Sequence, residues 1–94
     1  MSNLKLDQVN SNLNNLNGWS FDDNSITKQF QFKDFIEALS FVNVVGIEAE
    51  KMDHHPDILM FAWNKVKINI STHSAGGVTE KDFALAHTIE ERLK

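Results

Sequence analysis

The chain has 94 residues, 41% hydrophobic and 23% charged, which suits one domain over 1–94 and leaves no room for a second. With no cysteine there is no disulfide framework, thiolate nucleophile or thiolate-bound zinc, so any metal would have to rest on His and carboxylate. Nine basic residues against 13 acidic ones give a net charge of −4 without a Lys/Arg cluster, so direct nucleic-acid binding is not expected. The apolar runs are far shorter than the roughly 20 residues that span a bilayer, and MSNLKLDQVN lacks the apolar core of a signal peptide. The expected location is cytoplasmic, with a nuclear presence left open and no membrane partner.

Leu6, Val9, Leu13 and Leu16 recur at helical spacing and predict a short first helix, frayed by the five Asn between Asn10 and Asn17. Asn17-Gly18 suits a left-handed turn. Trp19 and Phe21, then Ile26, Phe30 and Phe32, lie at even spacing around the polar tract Asp22 to Ser25, which predicts a β-hairpin with one buried face.

From Lys33 to about Met52 the period lengthens. Phe35, Leu39, Val42, Val45 and Ala49 form one line, and Ile36, Ala38, Phe41, Val44 and Ile47 widen it into a broad apolar arc. Asp34 and Glu37 resemble a capping box at its start. The arc is wider than one sheet would cover, which predicts a homo-oligomer.

Two strands follow Asp53-His54-His55-Pro56-Asp57, flanking Asn64-Lys65. Asn favours a two-residue type I′ turn there, so Trp63 is expected opposite Val66, Phe61 opposite Ile68, Leu59 opposite Ile70 and Pro56 opposite His73. In that register Leu59, Phe61 and Trp63 face the core, and Ala62, Met60 and Ile58 face away. Gly76-Gly77 reads as a turn, and Thr79-Glu80-Lys81-Asp82 as a capping box opening a last helix with Phe83, Leu85, Ala86, Ile89 or Glu90, and Leu93 on its buried side. The order α-ββ-α-ββ-α predicts an α+β fold, a four-stranded antiparallel sheet with helices packed on one face.

The hairpin brings three histidines together: His54 and His55 enter its first strand and His73 leaves its second. Imidazole titrates near neutrality, so one ring can donate a proton while a neighbour accepts one. Competing readings are a solvated surface pair and a zinc or iron site completed by Asp53 or Glu50. The metal reading is disfavoured because neighbouring side chains such as His54 and His55 diverge and no H-E-x-x-H spacing is present. His87 is expected to be structural or exposed. Asp82 is explained by helix capping alone. Glu50 and Asp53 sit at the end of the long helix, where carboxylates oppose the dipole, a small local cost that hints at use. Trp63, Phe61 and Phe30 are expected in the core rather than as a stacking platform.

Glu50, three residues, His54-His55-Pro56, six residues, Trp63, nine residues, His73, eight residues and Asp82 form a spacing that resembles the signature of the pterin-4a-carbinolamine dehydratases, also called dimerization cofactors of a homeodomain transcription factor. FQFKDFIEALSFV, WNKVKI, STH at Ser71 to His73 and GGVTEKDFALA are similar to segments of that family, from about Gly18 to the end. The resemblance implies a hydro-lyase that converts 4a-hydroxytetrahydropterin to quinonoid dihydropterin and water in pterin cofactor recycling. It implies His54, His55 and His73 as catalytic residues, Glu50, Asp53, Pro56, Ser71 and Thr72 as substrate-binding or orienting residues, and neither cofactor nor metal. It also implies a dimer or tetramer. The alternative from another class is a protein-interaction module, a transcription coactivator or assembly factor without pterin turnover.

Overall fold

The computed structural model describes residues 3–94, so the reading of Met1 and Ser2 lies outside it. The elements are α1 (Leu6–Leu13), β1 (Ser20–Asp22), β2 (Ser25–Gln31), α2 (Phe35–Met52), β3 (Asp57–Phe61), β4 (Lys65–Ile70), a 3-10 turn (His73–Ala75) and α3 (Glu80–Arg92). The strands form one antiparallel sheet in the order β1-β2-β4-β3, which is the predicted α+β architecture.

Each start and stop has a local cause. Asp34 caps α2 by accepting from the Glu37 amide at 2.8 Å, while Glu37 Oε1 accepts from the Lys33 amide at 3.3 Å. The β1–β2 turn is Asp23-Asn24, both with positive φ (48° and 60°), a conformation Asp and Asn tolerate better than most side chains. In α3 the predicted capping box is present.

The core lies between the sheet and the helices. Ile26, Phe30, Val66, Ile68 and Ile70 come from β2 and β4, Ala38, Phe41, Val45 and Ala49 from α2, and Phe83, Leu85, Ala86 and Ile89 from α3. Val9, Leu16 and Trp19, from α1 and the segment after it, are buried in the same cluster. Lys28 also projects inward, donating from Nζ to Glu90 Oε2 at 2.8 Å and to the Asn17 carbonyl at 3.0 Å, and Glu90 also accepts from Trp19 Nε1 at 2.9 Å. Glu48 of α2 is buried and pairs with Arg92 of α3, tying the two helices at their far ends.

The β3–β4 register differs from the expected one. Phe61 faces Lys65, Met60 faces Val66, Leu59 faces Lys67, Ile58 faces Ile68 and Asp57 faces Asn69. The pairing is offset by three residues from the Asn64-Lys65 turn, and an odd offset exchanges the two faces of β3. Ile58 and Met60 therefore pack against the core, Leu59 is 55% exposed, and Trp63, expected in the core, is 60% exposed. Two observations account for this. Ala62 and Trp63 take the positive-φ positions (47° and 56°), leaving a loop of residues 62–64. Asn64 is buried, and its Nδ2 donates to the Phe32 carbonyl at 2.8 Å while its own carbonyl accepts from the Phe32 amide at 2.9 Å. Asn64 thus serves a tertiary bond ahead of α2 instead of the hairpin turn.

This register makes a testable distinction. Ile68→Ala, at a fully buried position, should cost about 2–5 kcal/mol in urea denaturation. Leu59→Ala should cost under about 1 kcal/mol, whereas a core-facing Leu59 would cost as much as Ile68.

Candidate active site

The three histidines reach one place from two directions. The long helix ends at Asp53, whose backbone turns left-handed (φ 49°) and whose amide is bonded to the Glu50 carbonyl; the next amide, of His54, bonds to the Ala49 carbonyl. This aims His54 and His55 at the end of the sheet. From the other side, β4 ends at Ile70, and Thr72 to Gly77 form a tight loop closed by the Thr72–Gly77 bridge. The Thr72 amide donates to the Gly77 carbonyl at 2.9 Å, and Gly76 takes φ 69° to complete the turn that carries His73.

Asp53, His54, His55, Ser71, Thr72, His73, Ser74 and Lys81 line the resulting cavity of about 300 Å³. Pro56 is not among these lining residues, and with Asp57 opposite Asn69 it does not face His73 as the expected register required. The histidines converge nonetheless, because the loop after β4 returns His73 to the end of α2.

Behind the cavity lies a buried polar network centred on Asp82, which has no exposed surface. Asp82 Oδ1 is 2.6 Å from His54 Nε2, and Oδ2 accepts from the Thr79 amide at 2.7 Å and from Thr72 Oγ1 at 2.9 Å. Thr72 has one hydroxyl proton, and donating it to Asp82 requires that Thr79 donate across the 2.8 Å Thr72–Thr79 contact. Thr79 Oγ1 in turn accepts from the Lys81 amide at 3.3 Å. Every donor then points toward the carboxylate, which assigns the His54 proton facing it to Nε2. Nδ1 is left as the ring nitrogen available for chemistry. Sequence reading assigned Asp82 to helix capping; it does cap α3, and the same carboxyl also orients His54. The Thr79-to-Asp82 spacing signalled the first role, and only the fold shows the second.

His55 is held differently. Its Nε2 lies 2.9 Å from Glu50 Oε1, and both side chains are exposed, so the pair orients the ring at little gain in stability, on the order of 0–1 kcal/mol. Asp53, expected to orient an imidazole, makes no side-chain hydrogen bond among the described residues; Asp82 and Glu50 do that work. Among the described residues no three His, Asp or Glu side chains form a group able to hold a metal ion. His87 is exposed on α3, away from the cavity.

Three imidazoles at a shared cavity, one locked by a buried carboxylate and one by a surface carboxylate, define a site equipped for proton transfer. The family model for pterin 4 alpha carbinolamine dehydratase matches residues 2–92, and the chain belongs to that family. A relative from Sulfolobus acidocaldarius, provisionally named a pterin-4-alpha-carbinolamine dehydratase, is 44% identical over 94% of this chain and 98% of its own. One from Picosynechococcus with the same provisional name is 48% identical over 89% of this chain and 90% of its own. The crystal structure of a transcriptional coactivator/pterin dehydratase from Brucella melitensis superposes with a TM-score of 0.89 at 38% identity, covering 96% of this chain and 97% of that one. A pterin dehydratase-like RuBisCO assembly factor of the alpha-carboxysome shares the fold at a TM-score of 0.62 and 19% identity, over 78% of this chain and 83% of that one. No helix among the described residues is long and apolar enough to cross a membrane.

The Asp82 network predicts a clear stability effect. Asp82→Asn places an amide donor against existing donors and should cost about 1–3 kcal/mol in thermal or urea unfolding. Glu50→Gln, on the surface, should change stability by less than about 0.5 kcal/mol.

Proposed function

We propose that this protein dehydrates 4a-hydroxytetrahydropterin to quinonoid dihydropterin, a step in recycling a pterin cofactor. The observation that carries this reading is the shared lining of one cavity by His54, His55 and His73, with His54 fixed through Nε2 to a buried carboxylate. The reaction breaks the bond from C4a to its hydroxyl oxygen, forms the C4a=N5 double bond and releases water. The departing oxygen takes up one proton and N5 gives one up, so the chemistry uses an acid and a base with no net gain or loss of protons.

His54 and His73 serve the hydroxyl as acids, His54 giving a proton from Nδ1 of its doubly protonated ring while its Nε2–H stays on the Asp82 carboxylate. His55, oriented by Glu50, binds the ring and moves the proton from N5. Ser71 and Thr72 line the same cavity, where Ser71 supplies a polar contact and Thr72 acts through Asp82. Pro56 sets the chain direction between the histidines and β3. No metal or redox group enters this scheme.

Stopped-flow measurement of carbinolamine decay, with substrate generated in place and the spontaneous reaction subtracted, tests the proposal. Wild type should accelerate the decay, and His55→Ala and His73→Ala should each lose about 10²–10⁴-fold of that acceleration. A folded wild type without acceleration would refute it and favour an interaction module.

The outer face of α2 bears on assembly. Phe35, Ile36, Leu39 and Ile47 are exposed on it, Ile36 by 67%, and a groove lined by Val42, Gly46, Ile47 and Ile58 runs beside them. A second copy of this chain is the occupant we propose, giving a dimer or tetramer. Sedimentation should show an oligomer that Ile36→Glu with Ile47→Glu dissociates; a wild type that is only monomeric would contradict it.

A further inference from the structure

Gly76 and Gly77 are glycines for different reasons. Gly76 takes φ 69°, whereas Gly77 is buried without a positive φ, so its backbone does not call for glycine. Its missing side chain makes room for Asn3: a Cβ at 77 would lie 2.9 Å from Asn3 Nδ2 and 3.2 Å from Asn3 Cβ. The next residue of each segment is bonded, the Leu4 amide donating to the Val78 carbonyl at 2.7 Å. Asn3-Leu4 thus lies against Gly77-Val78, with Leu4 packed on the core and Val78 buried in it.

Gly77-Val78-Thr79 joins the two halves of the histidine site. On one side Gly77 closes the loop that carries His73, exchanging backbone hydrogen bonds with Thr72 at 2.9 and 3.4 Å. On the other, the peptide that offers its carbonyl to Leu4 gives its N–H, that of Thr79, to Asp82 Oδ2 at 2.7 Å, and Asp82 Oδ1 meets His54 Nε2. A donor on the carbonyl of a peptide makes its N–H a stronger donor, so the Leu4 amide, the 78–79 peptide, the carboxylate and the imidazole form one polarised chain.

We propose that Asn3-Leu4 is a strap that positions both His54 and His73, with the Leu4 amide as its pin. Leu4 is a positioning residue that acts through the 78–79 peptide. Its consequence for turnover rests on the dehydratase reading above; its consequence for hydrogen bonding does not. Without the Leu4 donor the Thr79 N–H binds Asp82 less well, the carboxylate draws harder on the His54 proton, and the His73 loop loses the segment that backs its Thr72–Gly77 bridge.

Leu4→Pro deletes the N–H, and Leu4→Ala, which keeps it, reports the loss of the side chain alone. Relative to Leu4→Ala, Leu4→Pro should exchange the Thr72, Gly77 and Thr79 amides with solvent about tenfold faster while that of Phe30 in β2 is unchanged. It should also move the His54 Nε2 proton resonance further downfield and lower kcat for carbinolamine decay about tenfold at nearly constant KM. Gly77→Ala should show the same loss of kcat, and Asn3→Gly added to it should restore most of the rate by vacating the space the new methyl needs. Exchange and a His54 resonance alike in Leu4→Pro and Leu4→Ala, exchange accelerated evenly through β2, or a Gly77→Ala variant that Asn3→Gly does not improve would each overturn the strap. Wild type that fails to accelerate the decay, with the exchange and resonance changes as stated, would overturn the dehydratase reading and leave the strap standing.

Discussion

The buried carboxylate of Asp82 is the constraint on which the site depends. A charge without exposed surface is tolerated only where its hydrogen bonds are complete, and here one carboxyl collects three donors from three segments: the Thr79 amide at the start of α3, the Thr72 hydroxyl after β4 and the His54 ring after α2. Removing any one donor leaves part of the carboxyl unpaired. The same group therefore starts a helix, closes a loop and sets a tautomer. The two histidines outside this network have looser support, one on a surface carboxylate and one on a six-residue loop closed by a single bridge. The inner wall of the cavity is thus hydrogen-bonded and buried, whereas His55 and His73 on its outer side are exposed.

Helix α2 joins this chemistry to the rest of the molecule. Its inner face supplies Ala38, Phe41, Val45 and Ala49 to the core, its outer face carries exposed apolar side chains, and its last turn delivers Glu50 and Asp53 to the site. Glu50 also borders the groove on the outer face, so whatever covers that groove approaches the group that orients His55. The proposed assembly face and the histidine cavity thus share one carboxylate.

Much of the architecture was legible because it rests on local signals. The capping residues Asp34 and Thr79, the Asp-Asn turn, the period of α2 and the even spacing of Ile26 and Phe30 each specify their own element. The β3–β4 register was not legible, because both faces of β3 are apolar: Ile58 and Met60 compete with Leu59 and Phe61, and alternation cannot choose between them. The choice falls to the Asn64 bond with Phe32, a contact 32 residues apart in sequence. The convergence of the histidines survives the change of register for a reason the sequence did not display: the loop after β4, rather than a pairing of Pro56 with His73, returns His73 to the end of α2. The partner of His54 was hidden because Asp82 already had a sufficient local explanation in the helix cap, and nothing local signals a second use of the same carboxyl. Lys81 had no motif of its own and becomes visible only as a wall of the cavity.

The central claim is that Asp82 fixes the proton of His54 on Nε2 and leaves Nδ1 for the reaction. Long-range proton–nitrogen correlation spectra of the imidazole rings test it most directly. For His54 the account predicts an Nε2-bound proton shifted downfield and slow to exchange, lost in Asp82→Asn. A His54 ring protonated only on Nδ1, or an Nε2 proton indifferent to the loss of the carboxylate, would contradict it.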